Sequence, residues 1–498
     1  MSVDTHKTFR SASAGVLMRI LRYPFFLLFL VWVPREMGPV TYGKFAVFLS
    51  VYMMLEPFVG LGNIQIFGRF LPEHLQDPSK RGADLLHGML FYGTLVTLGV
   101  LGIALFGFQL FLPADFSPRW FVILALILLL GKWQGTFFAY LYGLNQLARF
   151  SSRDLIRSAS RVVLVVLLYR WRGLEGALWA FVGNEILLVT VSGFWVRREL
   201  FQVPRWPAWQ EFGSYITFGL KFHVPTCFQA LLERSGNVLI TLLAPLAASD
   251  LLFQRVTNFD ISNQFLLMTT SFFGIFLATL VPSLTRMHLA DEQQRILEWL
   301  NNVLSYCAAL CVVVILTLIC LGRNVLPLLG EGFEGVYPSA VLLSLAFFPV
   351  LVNQVGSNLS VVRKEPSVFI LGISAGLIGM LLFAWLLVPR WLELGFVLAT
   401  VLGYSVTSLV FLVKYFEVYR CLLRRLGQVL LAGLCTVPFC FWLPADLLPR
   451  ILFWLTLWAW FLLLLLLQRV ITREHSREVL TILRGKKPGS GPAADLQG

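Results

Sequence analysis

Of the 498 residues, 57% are hydrophobic and 13% charged, and the mean hydropathy is +0.76, which excludes an ordinary water-soluble domain. The net charge of +13 could suit nucleic acid, but Lys and Arg gather at loop ends and in the tail rather than on one face of a polar domain, so membrane topology accounts for it instead. Seven cysteines without framework spacing, and Cys307 and Cys311 one turn apart without further Cys or His partners, exclude a disulfide scaffold and a zinc site.

About 20 consecutive apolar residues cross a hydrocarbon core. Such stretches recur at 14–34, 42–66, 84–112, 120–145, 156–171, 175–196, 214–244, 253–282, 300–322, 338–360, 367–388, 395–416, 427–444 and 450–469. The fold class this predicts is an all-α polytopic membrane protein with about 14 transmembrane helices, 12 to 14 in all. The small residues at 11–15 precede the first apolar run, so that run is expected to stay as a helix and not to be cleaved as a leader. Pro24, Pro57, Pro225, Pro282, Pro349 and Pro438 fall inside spans and predict kinks.

Basic residues alternate between connections. Lys80 and Arg81, Arg149, Arg153 and Arg157, Arg197 and Arg198, Arg363 and Lys364, and Arg420, Arg424 and Arg425 mark one side, which places both termini in the cytoplasm. Beyond Gln468 the chain reads as a short basic amphipathic helix lying on the inner leaflet, followed by a disordered tail rich in Gly, Pro and Ala.

An ionisable group at mid-bilayer costs about 2.5–3.5 kcal/mol on insertion scales, so each one is a functional candidate. The predicted spans hold Arg19, Arg22, Lys132, Lys221 and Arg234 as bases, and Glu56, Glu185, Glu233 and Asp260 as acids. Arg19 and Arg22, three apart, share a helix face. Lys132 lies about twelve residues from either end of its span and needs water, a partner or an anion. Glu233 and Arg234 are adjacent and point in different directions, so each needs something other than its neighbour. Two uses remain open for this set: a cationic cavity for an anionic substrate, or mutual charge pairing, with Glu56, Glu233 and Asp260 as the groups for ion coupling or pairing.

Enzyme signals are poor. The six histidines are scattered, and neither a His-Glu-x-x-His run nor a nucleophile elbow occurs. Gly330 to Gly335 fits Gly-x-Gly-x-x-Gly, but no strand precedes it and two glutamates would repel phosphate, so it reads as a turn. No catalytic residue, metal or cofactor is expected.

A family resemblance rests on residues in order along the chain. These are Gly38, Tyr42, Gly43 and Phe45; Gly60-Leu61-Gly62; Arg69 to Glu73; Tyr142 to Asn145; Leu174 to Ala177; Leu232 to Arg234; Phe253 to Arg255; Pro282 with Arg286; and Gly330, Glu331 and Phe333. The pattern resembles the polysaccharide-export flippases of the O-antigen, Wzx-like type, within the superfamily that includes multidrug extruders and the lipid II flippase. That resemblance implies an N-terminal lobe at 1–200, a second at 201–418, two additional helices at 419–470 and a cytoplasmic segment at 471–498. It also implies a polyprenyl-diphosphate glycan as substrate, an inner-membrane location, alternating access, and work beside a glycan polymerase and export machinery. Phe253 stands where such proteins often have Tyr, and Glu233-Arg234 where they often have Asp-Arg. The alternatives are an ion-coupled extruder of small cations, which should line its cavity with acids, and a membrane-embedded glycan polymerase or transferase, which should show a large outer loop or a catalytic His.

Overall fold

The computed structural model describes residues 5–76, 82–111, 117–203, 209–244, 250–363, 365–442, 444 and 446–468. Among them are fifteen α-helices and three short 3-10 segments, with no strand. The helices are α1 (Thr5–Gly60), α2 (Asn63–Gln76), α3 (Gly82–Phe111), α4 (Pro118–Gly143), α5 (Leu147–Trp195), α6 (Arg197–Leu200), α7 (Trp209–Arg234), α8 (Gly236–Leu243), α9 (Asp250–Leu289), α10 (Gln293–Val325), α11 (Val336–Leu343), α12 (Phe347–Val362), α13 (Pro366–Lys414), α14 (Phe416–Thr436) and α15 (Leu447–Leu467). The cytoplasmic segment expected at 471–498 lies outside the described residues.

Among the described residues, eight segments are long and apolar enough to cross a membrane, and the chain is a multi-pass helical membrane protein. Three of them, Leu21–Leu75, Leu147–Trp195 and Pro366–Lys414, run to 55, 49 and 49 residues. At about 1.5 Å per residue each is more than twice the roughly 30 Å hydrocarbon thickness, so each must fold back within its length. Breaks do occur, at Gly38 (φ 73°) in α1, at Arg172 and Gly173 (φ 61°) in α5, and at Leu392 (φ 50°) in α13. All three fall in gaps between predicted spans. Glycine at Gly38 and Gly173 takes a left-handed backbone without penalty. At Gly173 the turn is tight, because a Cβ on nearby Gly176 would stand 1.9 Å from the Leu168 carbonyl. Arg170 reaches back from the α5 break to Glu36 beside the α1 break, at 3.3 Å. Its guanidinium holds the Glu36 carboxyl below the usual carboxylate range.

Leu392 is a branched side chain in a left-handed conformation, which costs on the order of 1–3 kcal/mol. The next residue, Glu393, is buried and receives Arg255 Nη1 at 2.7 Å, so an ion pair holds this break. Replacing Arg255 by Gln is expected to cost roughly 2 kcal/mol, less than a fully buried pair because the arginine is over a third exposed. Thermal unfolding of the purified variant checks it; an unchanged transition would mean that packing alone sets the break.

The chain divides into two compact units. The first holds residues 1–268, 326–346 and 366–410. Part of its core gathers Ile66, Phe67, Leu71, Leu86, Met89 and Phe138 from α2, α3 and α4. The second holds 269–325, 347–365 and 411–498. There Gly356 of α12 admits the Phe411 ring, Tyr415 Oη donates to Glu365 at 3.0 Å, and Arg450 donates to Asn324 at 2.6 Å. The thiols of Cys320 and Cys440 lie 3.8 Å apart, both buried, while Cys435 is exposed.

Candidate functional site

The break in α5 makes its two halves run side by side, so residues equally far from Gly173 meet. Arg161 precedes Gly173 by twelve residues and Glu185 follows it by twelve. Twelve residues rise about 18 Å, which is near the middle of a 30 Å hydrocarbon core. Arg161 Nη2 lies 3.4 Å from Glu185 Oε1, and Glu185 is fully buried. Arg153, Arg157 and Arg161 stand at i, i+4 and i+8, one above the other on a single face of α5 with steps of about 6 Å.

Two carboxylates answer the three guanidinium groups. Arg157 bridges them, with Nη1 at 3.5 Å from Glu56 Oε1 and Nη2 at 3.4 Å from Glu185 Oε1. Arg153 reaches Glu56 at 3.9 Å. The balance is one positive charge in excess, three minus two. Among the described residues, the Nε–H groups of Arg153, Arg157 and Arg161 are all buried and have no hydrogen-bond partner. An arginine offers five donors in a fixed fork, so two carboxylates leave spare donors on every rung. At the lower end Arg22 of α1 pairs with Asp154 at 3.6 Å.

The top rung opens into a cavity of about 70 Å3, walled by Arg161, Phe181, Phe25, Phe29, Tyr42 and Gln264 among others. Arg161 also stacks over the Phe181 ring, 4.8 Å from its centroid. Opposite, Gln264 of α9 accepts from Arg234 Nη1 at 3.4 Å, which brings a second base close behind the cavity wall.

A second polar group lies beside this cavity. Tyr42 Oη donates to Asp260 Oδ2 at 2.9 Å, and Asn237 Nδ2 donates to Asp260 Oδ1 at 2.7 Å and to Ser50 Oγ at 2.8 Å. Asp260 of α9 is therefore buried against neutral donors from α1 and α8. The same segments lock closely one turn away: Thr257 Oγ1 donates to the Pro39 carbonyl at 2.5 Å, and a Cβ on Gly43 would stand 2.0 Å from the Phe253 carbonyl oxygen. Gln254 donates to the Gly332 carbonyl at 3.0 Å, so the glycine-rich run at 330–335 is a turn packed on this contact, with positive φ at Gly330 and Gly332.

The sequence candidates scatter over these features. Glu56 and Arg22 join the ladder or its edge as charge partners, Arg234 backs the cavity, and Asp260 centres the second group. Glu233 accepts from Gln229 on its own helix at 2.7 Å. Lys221 is exposed on α7. The side chain of Arg19 lies outside the described residues, as do those of Pro282 and Arg286. Lys132 is 2% exposed and donates to Asn63 Oδ1 at 3.0 Å and the Gly60 carbonyl at 3.4 Å. Of water, partner or anion, the structure supplies it a partner, and the lysine braces the turn between α1 and α2. Lys132→Ala is therefore expected to lower stability by about 2–4 kcal/mol, from lost packing and two stranded acceptors, with substrate affinity retained. Thermal unfolding and substrate titration of the variant, side by side, check it; a stable variant with lost affinity would overturn it.

Sequence reasoning missed the ladder. It reads Arg153 and Arg157 as topology markers at the edge of the span at 156–171 and passes over Arg161, whereas all three are half-buried beside Glu56 and Glu185. The four-residue spacing and the apolar run after Arg161 were the available signal.

Folded-back apolar helices that carry a stack of arginines define a polytopic helical membrane protein. The fold agrees with solved transporters. A lipid II flippase, MurJ, in an inward closed conformation, aligns with a TM-score of 0.65 at 16% identity, covering 91% of this chain and 98% of that one. An inward-facing multidrug resistance MATE family transporter of the MOP superfamily aligns at 0.58 and 13%, over 81% and 98%. A MOP superfamily transporter from Pyrococcus furiosus, described as having a binding pocket of reversed polarity, aligns at 0.50 and 14%, over 83% and 96%. At such identities the likeness is one of fold. No curated relative matches by sequence. The chain belongs to the polysaccharide biosynthesis protein family, which matches residues 9–288, more than half of its length.

Proposed function

We propose that this protein is a flippase that moves a lipid-linked, diphosphate-bearing oligosaccharide or polysaccharide repeat unit from one leaflet of the cytoplasmic membrane to the other, for surface polysaccharide synthesis. The observation that carries the reading is the ladder of Arg153, Arg157 and Arg161, with one net positive charge and a spare buried donor on every rung. A diphosphate carries about two negative charges and many acceptors, and arginine holds such oxygens by charge-assisted, paired hydrogen bonds. Steps of about 6 Å give it successive holds from one membrane face to the middle, where the cavity beside Arg161 begins. The lipid tail stays in the bilayer and the sugars pass through water.

On this reading both termini are cytoplasmic, residues 1–200 and 201–418 are lobes that open alternately to the two sides, and the contact of Pro39 to Gly43 with Phe253 to Asp260 is the closed outer gate. No residue has a catalytic part. The experiment is transbilayer movement of a labelled polyprenyl-diphosphate oligosaccharide in liposomes holding the purified protein. Movement above protein-free liposomes is expected, and none under an imposed proton or sodium gradient would overturn the proposal.

One observation favours a second reading. Asp260 is a buried acid met by neutral donors, the kind of group that an ion-coupled extruder of small cations would use. Uptake of a cationic dye into the same liposomes, driven by a proton gradient and abolished by Asp260→Asn, would establish that reading in place of the first.

A further inference from the structure

A second cationic site lies in the other unit, at the start of α14. That helix opens with Phe416-Glu417-Val418-Tyr419-Arg420 and continues through Arg424 and Arg425 before its apolar half, an amphipathic start at the membrane surface. Arg420 and Arg424, four residues apart, share one face. They border an open cavity of about 790 Å3, completed by Asn301 of α10 and Gln468 at the end of α15. Arg425 is fixed to Asn302 Oδ1 at 2.7 Å. Among the described residues, Arg420 and Arg424 are exposed and have neither ion-pair nor hydrogen-bond partner. Among the described residues, Glu417 is the single carboxylate in the wall, so three guanidinium groups leave a net charge of two positive.

Two further atoms narrow the ligand. Among the described residues, Asn301 Oδ1 and Gln468 Oε1 are buried acceptors without a hydrogen-bond partner. A ligand that satisfies the wall thus brings anionic oxygens for the arginines and hydroxyl donors for the two amides. Beside Gln468 the last turn of α15 exposes Leu466 and Leu467, at 47% and 70%, and α14 exposes Leu423 and Leu431. The cavity therefore continues into apolar surface that acyl chains can cover, which a free phosphate does not need. Basic pockets between helices at the cytoplasmic face commonly hold anionic headgroups.

We propose that this cavity binds the headgroup of an anionic glycerophospholipid of the leaflet, with the phosphodiester on Arg420 and Arg424 and headgroup hydroxyls on Asn301 and Gln468. The site is separate from the arginine ladder, and the lipid is a fixed partner of the protein rather than its cargo.

The test measures binding of short-chain phosphatidylglycerol and phosphatidylcholine to the full chain in a neutral detergent, by native mass spectrometry. A preference for phosphatidylglycerol of at least tenfold is expected. The double variant Arg420→Gln/Arg424→Gln should lose that preference, and Arg197→Gln/Arg198→Gln, which removes two exposed arginines elsewhere, should keep it. Should the double variant fail to fold, Arg424→Gln alone reads the same effect at smaller amplitude. Equal binding of the two lipids overturns the proposal, as does an equal loss in the Arg197/Arg198 variant, which would assign the preference to diffuse charge. Displacement by inorganic phosphate at equal concentration would make the ligand a free anion. Tighter binding of a polyprenyl diphosphate at Arg420 and Arg424 would make the cavity part of the transport path. Either result overturns a resident phospholipid.

Discussion

Replacing Arg161 by Gln should slow movement of a diphosphate-linked glycan roughly 10- to 100-fold while leaving stability within about 1 kcal/mol of the native protein. The two effects separate because of how the ladder shares its charges. Glu185 is fully buried and is met by both Arg157 and Arg161 at 3.4 Å. Without Arg161 it still has Arg157, so no carboxylate is stranded. What is lost is the only rung that also lines the cavity, and one hydrogen bond to a charged group contributes about 1.5–3 kcal/mol. Arg157→Gln should behave in the opposite way. It breaks the bridge between Glu56 and Glu185 and leaves Glu56 with Arg153 alone at 3.9 Å, which should cost on the order of 3 kcal/mol in folding. Glycan movement in liposomes and thermal unfolding, measured on both variants, decide it. If Arg161→Gln unfolds as readily as Arg157→Gln, Arg161 is a structural counter-ion and the contact with substrate falls.

The fold was legible in the chain because hydropathy over 20 residues is a local property. The breaks at Gly38, Gly173 and Leu392 each fall between spans that composition alone separates, and at two of them glycine supplies the backbone freedom. The site was less legible, for two different reasons. Arg153 and Arg157 were hidden by a competing rule: arginines at a span edge read first as topology signals, and only the hairpin of α5 shows that they face Glu56 and Glu185. Lys132 and Asp260 stood out as buried charges, but their partners are distant in sequence. Asn63 precedes Lys132 by 69 residues, and Tyr42 precedes Asp260 by 218. Such pairings are decided by helix packing, which hydropathy does not encode.

Gly43→Leu should arrest transport at the closing step with the protein still folded. In the present state the α1 backbone at Gly43 lies against the Phe253 carbonyl so closely that a Cβ would stand 2.0 Å from it, and the obstacle is backbone that cannot swing aside. Overpacking of this kind costs about 1–3 kcal/mol or more. That cost falls only on the state in which the two segments touch, so it moves the equilibrium between closed and open outer gates by roughly 5- to 150-fold at 1.4 kcal/mol per decade. Tyr42, Asp260 and Asn237 then lose their shared geometry as well. The measurement is modification of Ser50→Cys by a membrane-impermeant thiol reagent added from outside, in a chain cleared of its own cysteines. Ser50 is 5% exposed and bonded to Asn237 behind the contact. It should be protected with Gly43 present and reactive with Leu in its place, while glycan movement falls at least tenfold. Protection in both, with transport intact, would mean that Gly43 and Phe253 part in no step of the cycle, and that the gate lies elsewhere in the chain.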